Sequence, residues 1–157
     1  MIRFIAAIDS KRGIANDHGI PWQGRIPKEV AYFRSKIKTG KVLMGYVFYT
    51  EMGEPFPGGT NYVANLEEVE LRQGYELVLD ARKFLTEQTE DVWNMGGAAL
   101  FASTLDLADE LYLTQLDQDF NCTKFFPEFK DKFELKSESE PTFENGITYT
   151  FQVWARK

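Results

Sequence analysis

Cysteine and histidine are almost missing from this 157-residue chain, which has one of each, Cys122 and His18. A disulfide framework is thereby excluded, as is any metal site built from Cys and His ligands. No apolar run approaches the roughly 20 residues that a bilayer crossing requires, and the first apolar stretch lacks a signal-peptide cleavage pattern. There is no internal repeat, linker or low-complexity segment. A basic excess is also missing: 18 Lys and Arg stand against 24 Asp and Glu, which argues against nucleic acid as the main partner. What is present is 43% hydrophobic and 15% aromatic residues. At this length folding buries roughly 68–70% of the extended surface, enough for a core without staples. These features predict one domain over residues 1–157, in a soluble cytoplasmic protein.

Charge is spread unevenly. Residues 1–50 carry nine Lys and Arg against three Asp and Glu, whereas residues 51–100 carry three against ten. The first third suits an anionic small molecule, although chance clustering of solvated charges explains it equally well.

Residues 2–8 (IRFIAAI) form a nearly continuous apolar run, the pattern of a strand buried on both faces. Residues 9–25 are polar and irregular and read as a long loop, a kind often used as a lid or binding loop. Pro27 then takes a first-turn position, and Ile26, Val30, Phe33 and Ile37 recur at helical spacing, which predicts a helix over residues 27–38. Downstream, strands over 41–45, 61–64, 76–79 and 91–95 alternate with helices over 47–52, 81–88 and 98–105. Strands over 110–116, 133–138 and 147–155 follow, with only turns between the last two. The alternation predicts an α/β fold: a mainly parallel sheet covered on both faces, with an antiparallel C-terminal hairpin at its edge.

Glu29 lies three residues after Ile26 and four before Phe33, so a helix places its carboxylate in the apolar stripe. A carboxylate there needs a partner or a shifted pKa, and it suits a cationic or amidine-like heterocycle held by two parallel hydrogen bonds. A first-turn acid that only complements the helix dipole explains the same position. Trp22 closes the irregular loop, either as a pocket wall holding a water through its N–H or as a plain core residue. Trp93-Asn94-Met95-Gly96-Gly97-Ala98 reads as strand, two glycines, then helix, which lets a phosphate approach backbone N–H groups. A tight strand-to-helix turn accounts for it as well. Gly45, ahead of another short helix, repeats the arrangement, and two such helix starts suit a diphosphate. Thr114, in a buried strand, either reaches a carboxylate across the core or is satisfied locally. His18 reads as a surface residue, and Cys122 has no activating partner.

Taken in order, the segments IRFIAAID, GIPWQGRIPKEVAYFR, KVLMG, GEPFPGG, NMGGAALF, ELYLTQLD, KFFPEF and YTFQVWARK resemble dihydrofolate reductase over essentially the whole chain. The resemblance implies an eight-stranded, mostly parallel sheet flanked by four helices. It implies hydride transfer from NADPH to the imine carbon of dihydrofolate, with protonation of the adjacent nitrogen. Glu29 is then the acid that grips the amino-pyrimidine edge of the pterin, Trp22 positions a water beside it, and Thr114 braces its carboxylate. Ile5, Ala6, Phe33, Met52, Phe56 and Met95 are expected to line the folate cleft. Ala7, Ile14, Ile20, Gly45, Tyr46, Val47, Gly96, Gly97, Ala98 and Phe101 are expected to meet the cofactor, with residues 9–24 as a mobile lid. The resemblance further implies a monomer that needs no metal.

Departures from the family's pattern fall at anion-binding positions. Gly59 stands where the family places the arginine that pairs with the glutamate carboxylate of folate, which makes Lys28 and Arg34 the candidate replacements. Tyr46-Val47-Phe48 replaces a basic residue followed by Thr or Ser at the cofactor phosphates, and Asn65 and Leu66 replace hydroxyl side chains, so NADH is not excluded as donor. Cys122-Thr123-Lys124 replaces Gly-Asp-Thr, removing an acidic contact to the closed lid. These departures leave open a reductase of another pterin or of an aminopyrimidine nucleotide, or a nucleotide- or pterin-binding protein without catalysis.

Overall fold

The structure, a computed structural model, describes residues 1–157. In chain order the elements are β1 (Ile2–Ile8), β2 (Gly13–Ala15), α1 (Pro27–Ile37), β3 (Lys41–Gly45), α2 (Tyr46–Glu51), β4 (Asn61–Ala64) and β5 (Tyr75–Val78). They continue as α3 (Ala81–Thr86), β6 (Val92–Asn94), α4 (Ala98–Thr104), β7 (Glu110–Leu116), β8 (Lys124–Phe125), β9 (Phe133–Glu138), β10 (Thr142–Glu144) and β11 (Ile147–Arg156).

The main sheet runs β5-β4-β3-β6-β1-β7-β11. Neighbours are parallel up to β7, and β11 returns antiparallel to it. β9 and β10 share the free edge of β11, pairing with its Gln152–Arg156 and Ile147–Tyr149 ends. Nine strands therefore fill eight positions. The mainly parallel α/β sheet with four helices and an antiparallel C-terminal edge is the expected architecture, with β10 as an extra strand where turns alone were expected. Alternation along β1 divides its side chains between two cores. Phe4 and Ile8 pack with Phe101, Leu111 and Phe126 on one face, while Ile5 packs with Met44, Trp93 and Met95 on the other. Burying each of these large side chains stabilises the fold by roughly 1.5–3 kcal/mol.

Two local expectations need correction. Val30, placed in the core stripe of α1 by its spacing, is 41% exposed, and Glu29 takes the buried position instead. The loop after β1 is also not wholly irregular, because β2 pairs antiparallel with β8. Gly13 is required there, since a Cβ would overlap Cys122. The Thr123 N–H donates to the Ala15 carbonyl at 3.0 Å and the Ser10 N–H to the Gln118 carbonyl at 3.0 Å. Asp9, fully buried, accepts from the N–H groups of Lys11, Gly13 and Phe120 at 2.9, 2.7 and 3.0 Å. Both sides of this loop are thus tied down through backbone donors, without the acidic residue that the family pattern has in the 122–124 segment.

The connection leaving β3 runs outward to β4, whereas the one leaving its neighbour β6 runs the opposite way, to β7. In open α/β sheets such a divergence opens a crevice beyond the carboxyl ends of the two strands. α1, the lid, and the Gly96-Gly97 turn all border it.

Candidate active site

Glu29 sits in the first turn of α1 and is 9% exposed. Tyr32, one turn on, stacks on Phe151 of β11 with ring centroids 3.9 Å apart, and Lys36 lies over Tyr112 of β7. These contacts turn the Glu29 face of the helix toward β7. There the Thr114 hydroxyl donates to Glu29 Oε1 at 3.4 Å, a long bond. Burial pushes the Glu29 carboxyl up from 4.5 to about 7; the Thr114 hydroxyl opposes this, and the nearby negative charge of Glu144 adds to it. The group therefore exchanges its proton near neutral pH, as a general acid must.

Trp22 is buried against Ile26, Leu116, Ile147 and Tyr149, with its indole edge-on to Phe120 at 5.1 Å. It belongs to the same end of the sheet as Glu29 and packs beside the start of α1. On the other face, Ile5 and Met95 are buried, and Phe33, Met52 and Phe56 pack half-buried against the same cluster, Phe33 meeting Phe56 edge-on at 5.9 Å. Ala6, next along β1, is half-buried against the opposite core. A cleft of about 430 Å³ opens farther along α1, with Arg34, Ser35 and Lys38 on one wall and Phe56 and Pro57 on the other. Arg34 lies over the Phe56 ring at 5.5 Å. Lys28 lies outside this lining, in the first turn of α1. Lys38, which no periodicity singled out, stands in it beside Arg34.

The two glycine turns meet. The Gly45 N–H donates to the Gly96 carbonyl at 2.6 Å, so the ends of β3 and β6, and with them the starts of α2 and α4, lie side by side. Neither helix start is capped by a side chain. Gly96 has φ +79°, and a Cβ there would run into the Phe101 ring, whereas a Cβ on Gly97 would meet no atom within 4 Å. This open cradle of backbone N–H groups fits the diphosphate of a dinucleotide. Phe101 is buried beneath it, Ala98 opens α4, and Ala7 and Ile14 are half-buried at the neighbouring lid base. Ile20 and Val47 are 38% and 62% exposed, and Tyr46 is half-buried against the Met44 side of the core. Tyr46, Val47, Asn65 and Leu66 are uncharged, and Arg82 is engaged by Asp106 at 2.7 and 2.8 Å.

His18 and Cys122 stand apart from this chemistry. His18 is exposed. Burial, with the charge of Asp9 beside it, pushes the Cys122 thiol up to about 11, so it is neither a thiolate nor a nucleophile at neutral pH.

Residues 1–156 match the family described as dihydrofolate reductase. Among curated proteins, the chain is 30% identical to the dihydrofolate reductase of Bacillus subtilis, across 100% of this chain and 95% of that one. It is 32% identical to a dihydrofolate reductase type 3 of Salmonella typhimurium, across 82% of this chain and 80% of that one. It is 31% identical to the dihydrofolate reductase of Drosophila melanogaster, across 98% and 97%. A solved dihydrofolate reductase from Enterococcus faecalis, complexed with NADP(H) and RAB-propyl, superposes with a TM-score of 0.88 at 21% identity, covering 100% of this chain and 96% of that one. By the match along its length and these relatives, the chain belongs to the dihydrofolate reductase family.

Proposed function

We propose that this protein reduces dihydrofolate to tetrahydrofolate with NADPH as donor, and that Glu29 is the acid that binds the pterin. The observation that carries the reading is a buried carboxyl in the first turn of α1, pushed up to about 7 by burial, that accepts from a threonine hydroxyl of the facing strand. A pterin offers an amino group and a ring N–H side by side, and a carboxylate takes both in parallel. The same carboxyl supplies a proton at neutral pH, and Trp22 holds a water that passes it on. Thr114 fixes the orientation of the carboxyl. Ile5, Phe33, Met52, Phe56 and Met95 form an apolar slot that excludes bulk water and aligns the ring, while Ala6 faces the opposite core. Arg34 and Lys38 attract the anionic tail of the substrate.

NADPH supplies the hydride when bound. The first N–H groups of α2 and α4 would hold its diphosphate, with Gly45, Gly96 and Gly97 letting it approach the backbone, and Ala7, Ile14, Ile20, Tyr46, Val47, Ala98 and Phe101 would line its path. The lid over residues 9–24 closes on both ligands. Because the uncharged Tyr46, Val47, Asn65 and Leu66 stand where side chains would grip the extra phosphate, the preference for NADPH is reduced and NADH is a usable donor. The protein acts as a monomer on small molecules, and its excess of 24 Asp and Glu over 18 Lys and Arg disfavours nucleic acid as a partner.

The test is absorbance at the nicotinamide band with purified protein, dihydrofolate, and either NADPH or NADH. Oxidation that depends on dihydrofolate, faster with NADPH and abolished by methotrexate, is the expected result. Folded protein that oxidises neither donor would move the assignment to another substrate or to binding without catalysis.

A further inference from the structure

The start of α1 lacks the usual means of satisfying itself. Ile26 flanks it without a side-chain cap, and Pro27 follows. The Lys28 N–H would then be an orphan donor. It is taken instead by Glu144, at the tip of the β10–β11 hairpin, whose two carboxylate oxygens accept it at 3.2 and 3.3 Å. Glu144 is held in turn by the Tyr149 hydroxyl, which donates to its Oε1 at 2.9 Å. The turn residue Asn145 adds a clasp: its Nδ2 donates to the Arg25 carbonyl at 2.7 Å, and Arg25 Nη2 donates back to the Asn145 carbonyl at 3.3 Å. Asn145 and Gly146 have φ of 50° and 81°, as a two-residue hairpin turn requires. Behind the clasp, Ile147 and Tyr149 pack on Trp22 and Ile26.

We propose that Glu144, held by Tyr149, is a positioning residue for Glu29: it fixes the first turn of α1 from outside the helix and sets a second carboxylate beside that of Glu29, on the N–H of the adjoining residue Lys28. The groups around Glu29 support this. From β7, the Thr114 hydroxyl donates to it and favours the ionised form. On α1 itself stand Tyr32, which also faces Tyr112 of β7, and the exposed side chain of Lys28. From β11 comes Tyr149. Both Tyr32 and Tyr149 are pushed upward by burial and stay neutral at pH 7. Glu144, from β10, is the one neighbour whose charge raises Glu29, acting in the same direction as burial. The helix-start seat that favours a carboxylate is already occupied by Glu144. Glu29 is thereby released from capping and left to the crevice.

The inference rests on Glu29 as the acid of the site, and its test begins with the ligand-free protein. Carbon-13 NMR of labelled glutamate carboxyls, with the Glu29 signal identified by its loss in Glu29→Gln, gives the Glu29 titration midpoint. Glu144→Gln keeps an oxygen for the Lys28 N–H and removes the charge, so the Glu29 midpoint should move down while the thermal midpoint of unfolding measured at pH 4, where Glu29 is protonated whether folded or unfolded, stays in place. Glu144→Ala removes cap and charge together and should lower both. In turnover, the fall in rate with rising pH should begin at lower pH in Glu144→Gln, with KM for dihydrofolate unchanged. A Glu29 midpoint unmoved in Glu144→Gln overturns the inference, whatever the activity. A midpoint that moves in a protein without reductase activity upholds the link and removes the reading of the reaction.

Discussion

Replacing Glu29 by Gln removes an ionisation that the fold opposes. A glutamate titrates near 4.5 when free, and burial carries Glu29 to about 7. Because each tenfold change in proton affinity is worth about 1.4 kcal/mol, this displacement corresponds to about 3 kcal/mol. Below pH 4.5 both folded and unfolded chains hold the proton, and Glu29 does not change stability. Between 4.5 and 7 the unfolded chain has released its proton while the folded protein retains it, so stability falls as pH rises. Above 7 the full cost stands. Glu29→Gln is nearly isosteric and cannot ionise, so its stability relative to the unsubstituted protein should climb from pH 4 to pH 8 by up to about 3 kcal/mol. For a chain of this size that is a rise in Tm of roughly 6–12 °C at pH 8. Urea unfolding of both ligand-free proteins across this pH range is the assay, with equal m values confirming like-for-like transitions. Dihydrofolate turnover should meanwhile drop by about 10²–10⁴. Stability curves that run parallel from pH 4 to pH 8 would refute the reasoning, because Glu29 would then titrate like a solvated carboxylate.

Thr114→Val removes the hydroxyl that favours the Glu29 carboxylate, so the Glu29 midpoint should move up, by as much as about one pH unit for a bond at the weak end of the charged range; carboxyl NMR reads this, and a downward shift would contradict it. Gly96→Ala places a methyl against Phe101 at a positive φ, and should destabilise the fold by about 2–4 kcal/mol in urea unfolding; unchanged stability would mean that the turn and ring separate freely. Gly59→Arg has room, its Cβ meeting only the Gly40 carbonyl at 3.4 Å, and stands beside the Phe56–Pro57 wall. It should lower KM for dihydrofolate with kcat unaltered, and an unchanged KM would mean that Arg34 and Lys38 already saturate the tail.

Much of this was readable from the residues because local pattern and tertiary demand agree. The run from Ile2 to Ile8 became the central strand, since only a strand buried on both faces tolerates so few polar residues. Spacing also placed Glu29 among apolar neighbours of α1, although it credited Val30 with burial that the crevice denies it. The contacts missed were long-range and had no local signature. The β2–β8 ladder joins segments of three and two residues, too short for any periodicity. Asn145-Gly146 announces a tight turn, but nothing nearby reveals that Glu144 reaches the start of α1. Nothing in the sequence around Asp9 marks the three backbone N–H groups that converge on it from Lys11, Gly13 and Phe120. Lys38 entered the cleft because it lies one turn beyond Arg34, a relation that becomes informative once Phe56 and Pro57 form the facing wall.

The central claim is that a buried Glu29 governs protonation during hydride transfer, and the first-turnover rate of NADPH oxidation with dihydrofolate, followed against pH, tests it most directly. The rate should fall as pH rises through about 7, and in Glu29→Gln it should be orders of magnitude lower and insensitive to pH across that range. A Glu29→Gln protein that transfers hydride at nearly the unsubstituted rate, with the same pH profile, would contradict the account.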